Sequence, residues 1–277
     1  MSTLLDRAAA WIGGHLSRYL SQPSHVHSTA QPTDPARLMA CLKPGDVLLV
    51  EGQTRVSTAI KYLTQSTWSH AALYVGDATG LSDAHGLSRS FFEADIREGV
   101  RAVSVAEFTG LHCRVCRPVG MNAAEVDAVT AFVMARLGHR YDVKNVLDLA
   151  RYLFPTPPVP LRWRRGMLAL GSGDPTRAIC STLIAKAFQS VGYPILPVIK
   201  SVPSRDPMCP GCVDEILHIR HHSLFVPRDF DVSPYFAVIK PTLAAGFDHR
   251  VLAWHDPSEH EALPGAVITD TVSSTSL

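Results

Sequence analysis

Three residues in this 277-residue chain have types that, brought together, would perform thiol chemistry. Cys180 lies in AICSTLIAKAF, at the expected first turn of an apolar helix running to about Val191. A helix N-terminus carries partial positive charge and free N–H groups, and both favour a thiolate over a thiol. The same N–H groups, at Cys180 and Ser181, can hold the oxyanion formed when a thiolate attacks a carbonyl. A small buried hydrophobe opening a core helix is the competing reading of Cys180. A thiol nucleophile needs a base, and the chain has 13 histidines. His70 stands apart because it sits inside an apolar strand, SHAALYVGD. Alternation puts His70, Ala72 and Tyr74 on one face and Ala71, Leu73 and Val75 on the other. With small Ala72 beside it, the imidazole either faces a cleft or satisfies a buried hydrogen bond. The third member of a triad orients the imidazole through its other nitrogen. Glu93 in FFEAD fits, since an acid inside a short apolar strand is costly unless paired. Asp95 shares its parity, and an edge-strand carboxylate facing water is the other reading.

Two further groupings compete. Cys113 and Cys116 are three residues apart in HCRVCRPV, which reads as a strand, so their side chains point to opposite faces and chelate poorly. Cys209-Pro-Gly-Cys212 reads as a turn, and with His218 it would make a small zinc site; a local disulfide or plain loop cysteines are the alternatives. The basic run Arg162, Arg164 and Arg165 around Trp163 reads either as a solvated loop or as a contact for anionic lipid.

These residues need a scaffold to meet. Leu4, Leu5, Ala8, Trp11, Ile12, Leu16, Tyr19 and Leu20 space out an amphipathic helix, followed by a polar, Pro-containing linker over 21–36. The main domain is expected from near Leu38 to 245. Strands are predicted at 45–52, 69–77, 91–95, 100–105, 112–119 and 234–241, with a short helix at 55–66. Asn122, with Glu125 three residues on, predicts the start of a helix whose inward face is Val126, Val129, Phe132, Val133 and Leu137, stopped by Gly138. The helix from Cys180 turns Leu183, Ile184, Ala187 and Phe188 inward and ends at Gly192. The stretches 155–177 and 193–232 are Pro-rich and read as loop-rich insertions, and 246–277 reads as an extension with a disordered end. Strands grouped apart from helices give an α+β class around an antiparallel sheet, with no regular βαβ alternation.

Composition sets the outer limits. Hydrophobic residues make up 46% of the chain, enough for a sizeable core. A net charge of +1 gives no support for a nucleic-acid partner. No secretory signal or membrane-spanning run is read in the sequence, so the expected setting is cytoplasmic and reducing, with peripheral membrane contact open to the N-terminal helix. No cofactor is expected.

Taken in order, GDVLLVEG, STAIKYLTQSTWSHAALYVGD, FFEAD followed by EGV, GHRYD and ICSTLIAKAF resemble the permuted, YiiX/YebB-like branch of the NlpC/P60 superfamily. The resemblance spans roughly Leu42 to Gly192, with SPYFAVIKP similar as well. It implies a circularly permuted papain-like fold in which the histidine strand precedes the cysteine helix. It also implies a Cys180–His70 pair with Glu93 as the third member, and places Tyr141 and Asp142 of GHRYD at the pocket or as a loop anchor. Ser69 and Ser181 are the remaining pocket candidates. The activity implied is a cysteine hydrolase acting on amide bonds of peptides, cell-wall fragments or acyl amides. Lipid acyl hydrolysis or transfer is the alternative, and a non-catalytic, zinc-stapled binding module is the alternative from a different class.

Overall fold

The computed structural model describes residues 22–23, 30–95, 98–139, 179–204, 208–209, 211–244 and 246–251. The expected N-terminal helix over 4–20, Tyr141, Asp142, the basic run around Trp163 and most of the tail lie outside the described residues.

Asp34 opens the first helix, α1 (Pro35–Cys41), by accepting a hydrogen bond from the N–H of Ala36. Pro35 occupies the first helical position, where its missing N–H costs nothing. Packed structure therefore starts ahead of Leu38, inside the stretch read as a linker, because Asp-Pro there is a helix start and not a loop. Strand β1 (Val47–Glu51) follows, then α2 (Arg55–Thr64), β2 (His70–Tyr74), β3 (Phe91–Asp95), β4 (Gly99–Val103) and β5 (His112–Pro118). Helices α3 (Ala123–Met134) and α4 (Ile179–Ser190), strands β6 (Val198–Pro203) and β7 (Val213–His218), helix α5 (Pro227–Asp231), strand β8 (Phe236–Ile239) and helix α6 (Pro241–Ala244) complete the order. Residues 246–251 belong to a separate compact unit, in which His249–Val251 form a 3-10 turn.

Among the described residues, six strands form one antiparallel sheet in the order β4-β3-β2-β1-β5-β8. Strand β1 is central and buried on both faces, which explains its uninterrupted VLLVE. Alternate residues serve two cores. Val47 and Leu49 join Ala71, Leu73, Phe92 and the inward faces of α3 and α4, while Leu48 and Val50 join Leu38, Ala72, Phe91, Phe108 and Val115. The buried carboxylate of Asp46 is held in a fork by Arg117, with Nε 2.8 Å from Oδ1 and a terminal nitrogen 2.7 Å from Oδ2.

Helix α3 begins with the expected capping box: Asn122 and Glu125 each accept the other's backbone N–H through their side chains, at 3.0 and 2.9 Å. It ends at Met134, one turn short of Gly138, so Leu137 is exposed and not on the inward face. Gly138, at φ +78°, turns the chain so that its N–H meets the carbonyl of Val100 at the edge of β4. Helix α4 buries Leu183, Ile184, Ala187 and Phe188 as its spacing requires and packs on α3, β2 and β3.

The region 193–232, expected to be irregular, contains the β6–β7 hairpin and α5. Among its described prolines, Pro197 precedes β6, Pro203 ends it and Pro227 takes the first position of α5. Both strands of the hairpin are exposed, so they lack the apolar alternation that marks a buried strand. Among the described residues no helix is long and apolar enough to cross a membrane.

Phe188 anchors α4 against a cluster of rings, with centroids 5.5 Å from Tyr193, 6.4 Å from Phe230 and 5.3 Å from Phe236. Phe188→Ala is expected to lower stability by about 3–5 kcal/mol, measured by urea unfolding. A loss under about 1 kcal/mol would mean that the ring cluster does not hold α4 on the sheet.

Candidate active site

The path from β1 to β2 fixes His70. After Glu51 the chain turns at Gly52, and Thr54 caps α2 by accepting the N–H of Ser57 at 3.2 Å. The chain returns with the N–H of Ser69 donating to the carbonyl of Val50 at 3.1 Å and the Ser69 hydroxyl accepting the N–H of Gly52 at 2.9 Å. Ser69 is buried by these bonds, so it clamps the entry to β2 and does not line a pocket. Gly52 is required by close approach: a Cβ there would collide with Ser57 Oγ and stand 2.9 Å from Ser69 Oγ.

Strand β2 then carries His70 on the same sheet face as Glu93 of β3, as alternation requires. Strands β2 and β3 pair at Leu73–Phe92 and Tyr74–Phe91. His70 Nε2 lies 2.7 Å from Glu93 Oε2. Glu93 is 3% exposed, while the His70 ring keeps 27% exposure and so has an open side. The other oxygen of Glu93 is taken by Arg101, directly opposite on β4, with Nε at 2.8 Å and a terminal nitrogen at 2.6 Å from Oε1. Arg101 also reaches Glu98 at 3.2 Å and Glu107 at 2.7 Å. Sequence reasoning passed over Arg101, although a cation within the apolar strand VRAVSV is as costly as the acid within FFEAD. Pairing the two strands as a hairpin would have matched them.

Cys180 sits in the first turn of α4, and packing of that helix on β2 and β3 brings its thiol to His70. The sulfur is hydrogen-bonded to the imidazole and to the backbone N–H groups of Ala71 and Ser181. With Nε2 committed to Glu93, Nδ1 is the ring nitrogen left to meet the thiol. Burial alone would push the thiol up and the imidazole down. Their mutual attraction reverses both: the thiol is lowered by His70 and the two N–H groups, and the imidazole is raised well above its usual range by Cys180 and Glu93. Glu93 feels the same contest, with burial outweighed by His70 and Arg101, and is held at about 2. Both shifts favour the thiolate–imidazolium form of the pair. The other buried thiols have no such partner: burial pushes Cys113 up to about 12 and Cys116 higher still.

The remaining candidates fall elsewhere. The Ser181 hydroxyl donates to the carbonyl of Phe225 at 2.7 Å, so this residue faces the sulfur through its backbone only. Asp95 accepts the N–H of Glu98 at 2.9 Å and shapes the β3–β4 turn. Cys209 and Cys212 are joined in a disulfide, and sulfurs bonded to each other cannot serve as thiolate ligands, so the zinc set with His218 is not formed. Among the described residues no three His, Cys, Asp or Glu side chains are gathered to hold a metal ion. Cys113 and Cys116 lie in the two different cores, on opposite faces of β5.

Along the chain the histidine strand precedes the cysteine helix, which is the element order of a permuted papain-like fold. Residues 41–153 match the family described as "Permuted papain-like amidase enzyme, YaeF/YiiX, C92 family", and it is to this family of cysteine amide hydrolases that the chain is similar. The matched stretch contains His70 and Glu93, and Cys180 lies beyond it. Among solved structures, the one described as "Crystal structure of metalloprotein yiiX from Escherichia coli O157:H7, DUF1105" is similar at 12% identity and a TM-score of 0.39, covering 72% of this chain and 96% of that one. No curated protein matches.

The ionised Glu93 contributes stability in a defined pH window. Its folded pKa, about 2, lies below its ordinary value of 4.5, so the contribution is complete above pH 4.5 and is lost as pH falls toward 2. Glu93→Gln is expected to cost about 3 kcal/mol at neutral pH, since it removes the one buried carboxylate that meets both Arg101 and His70. The gap between wild type and variant, followed by urea unfolding, should close over that acid range; a gap independent of pH would refute the assignment. Gly52→Ala should lower stability by about 1–3 kcal/mol by pushing Ser57 and Ser69 apart, measured the same way.

Proposed function

We propose that the protein hydrolyses amide bonds through a thioacyl-enzyme intermediate, with Cys180 as nucleophile, His70 as general base and acid, and Glu93 as the group that holds the imidazole. The observation that carries this reading is the convergence of a lowered thiol, a raised imidazole and a buried carboxylate from three separate elements, α4, β2 and β3. Pairing of this kind is what a thiol nucleophile needs at neutral pH.

In the reaction, the Cys180 proton rests on His70 and the thiolate attacks the carbonyl carbon. The N–H of Ser181, at the start of α4, and that of Ala71 are the backbone donors beside the sulfur, and charge passing from sulfur to the carbonyl oxygen stays within their field. As the tetrahedral species collapses, the imidazolium returns its proton to the leaving amine, and a thioester remains on Cys180. Water, deprotonated by His70, then attacks the thioester. The acid departs with Cys180 expelled as the thiolate, and the proton taken from water stays on His70, so the starting pair is restored. Glu93 keeps the ring in one orientation through both halves and balances its charge when it is protonated. The substrate is a peptide, a cell-wall fragment or an acyl amide.

Two measurements test this. Cys180→Ala should reduce hydrolysis across a panel of peptide amides, acyl amides and acyl esters by on the order of 10⁴-fold, with an unchanged unfolding midpoint. Equal turnover by both proteins would remove Cys180 from the mechanism. Iodoacetamide at neutral pH should label Cys180 well ahead of Cys41, Cys113 and Cys116, and uniformly slow labelling would contradict the ion pair.

A further inference from the structure

We propose that Arg101 is a positioning residue of the site: it pins Oε1 of Glu93 so that Oε2 is aimed at His70 Nε2. The inference rests on the reading of Cys180, His70 and Glu93 given above, and it concerns how that set is held.

The argument starts from how the carboxylate is shared. Elsewhere in this sheet an arginine grips a buried carboxylate through both oxygens, as Arg117 does at Asp46, with one nitrogen on Oδ1 and another on Oδ2. Arg101 does not. Its Nε and a terminal nitrogen both go to Oε1, at 2.8 and 2.6 Å, and Oε2 is left for the histidine at 2.7 Å. One oxygen is thus fixed by a cation and the other is dedicated to the ring. Rotation of the carboxylate about its last bond would break both contacts at once. The backbone supplies the register, because Glu93 and Arg101 are direct partners across β3 and β4 and must share a face.

Arg101 is itself held from outside. Glu98 in the β3–β4 turn and Glu107 in the 3-10 helix Val105–Phe108 take its remaining contacts at 3.2 and 2.7 Å. Both outer carboxylates are exposed, so water screens them and they orient the guanidinium more than they stabilise it. The charged groups around Glu93 are therefore His70 from β2, Arg101 from β4, and Glu98 and Glu107 beyond the guanidinium, with Cys180 of α4 on the far side of the ring. Without Arg101, Oε1 would be a buried oxygen with no cation beside it, at a residue 3% exposed. A carboxylate in that position turns toward water or takes a proton, and either change takes Oε2 away from His70.

The test needs no substrate, so it fails separately from the proposed hydrolysis. Its readouts are iodoacetamide labelling of Cys180 as a function of pH and the proton NMR resonance of the His70 Nε2–H in histidine-¹⁵N-labelled protein. Arg101→Gln should slow labelling at neutral pH about tenfold and remove the downfield Nε2–H signal. Arg101→Lys, which keeps a cation opposite Glu93, should keep the signal and stay within about threefold of wild type. Added to Glu93→Gln, the Arg101→Gln change should alter labelling by less than about twofold, since a residue acting through Glu93 has nothing left to act on. That double variant removes both charges and retains a folded reference if the single Arg101→Gln protein does not fold. Wild-type labelling and an intact Nε2–H signal in Arg101→Gln would overturn the proposal. Equal slowing by Arg101→Gln with and without Glu93→Gln would do the same.

Discussion

A buried carboxylate cannot stay ionised in a protein interior unless cations meet it, and Glu93 organises one end of this molecule around that constraint. Its two oxygens are divided between a histidine and an arginine on the strands to either side. Each contact then imposes a structural requirement. The arginine contact requires β3 and β4 to pair in one register, since a slip of one residue would turn either side chain to the opposite face. The histidine contact requires β2 to enter the sheet at a fixed position, and this is what the Gly52–Ser69 clamp secures. The imidazole, pushed toward its charged form by these neighbours, in turn favours the thiolate at the start of α4.

This chain of dependence is built from elements close in sequence, apart from the helix that carries Cys180. The sheet brings β1, β2, β3 and β4 together as sequence neighbours, so the histidine, its carboxylate and its arginine form within 32 positions of one another, from 70 to 101. The cysteine arrives from far along the chain, on a helix whose docking is almost wholly apolar: Leu183, Ile184, Ala187 and Phe188 against the sheet and α3. Local polar assembly and long-range apolar docking are thereby separated. The register of the charged residues is set by backbone pairing, and the position of the helix by apolar packing.

The same separation governs what could be read from sequence. The strands, the Asn122 capping box and the inward face of α4 were legible because periodicity and caps are local signals. His70 and Glu93 could be paired because each is a polar residue in an apolar strand, a mismatch that demands an explanation. Arg101 carries the same mismatch, but its cross-strand partner is identified only by the register. Leu137 fits the helix face by spacing, yet spacing alone does not locate a helix end within a turn. The β6–β7 hairpin was hidden by exposure: strands that bury nothing leave no alternation to read. The disulfide at Cys209–Cys212 was one of several readings of that turn, and two cysteines three apart do not choose between a metal and each other.

The four free cysteines show how little burial alone says about reactivity. Cys113, Cys116 and Cys180 are all removed from water, and in each case burial opposes the thiolate. Only at Cys180 do an imidazole and two backbone N–H groups converge on the sulfur, and only there does the balance turn. A buried thiol therefore keeps its proton by default, and only what faces it can favour the thiolate. In this protein what faces it is a histidine bonded to Glu93, so the balance at a sulfur on α4 depends on a carboxylate on β3.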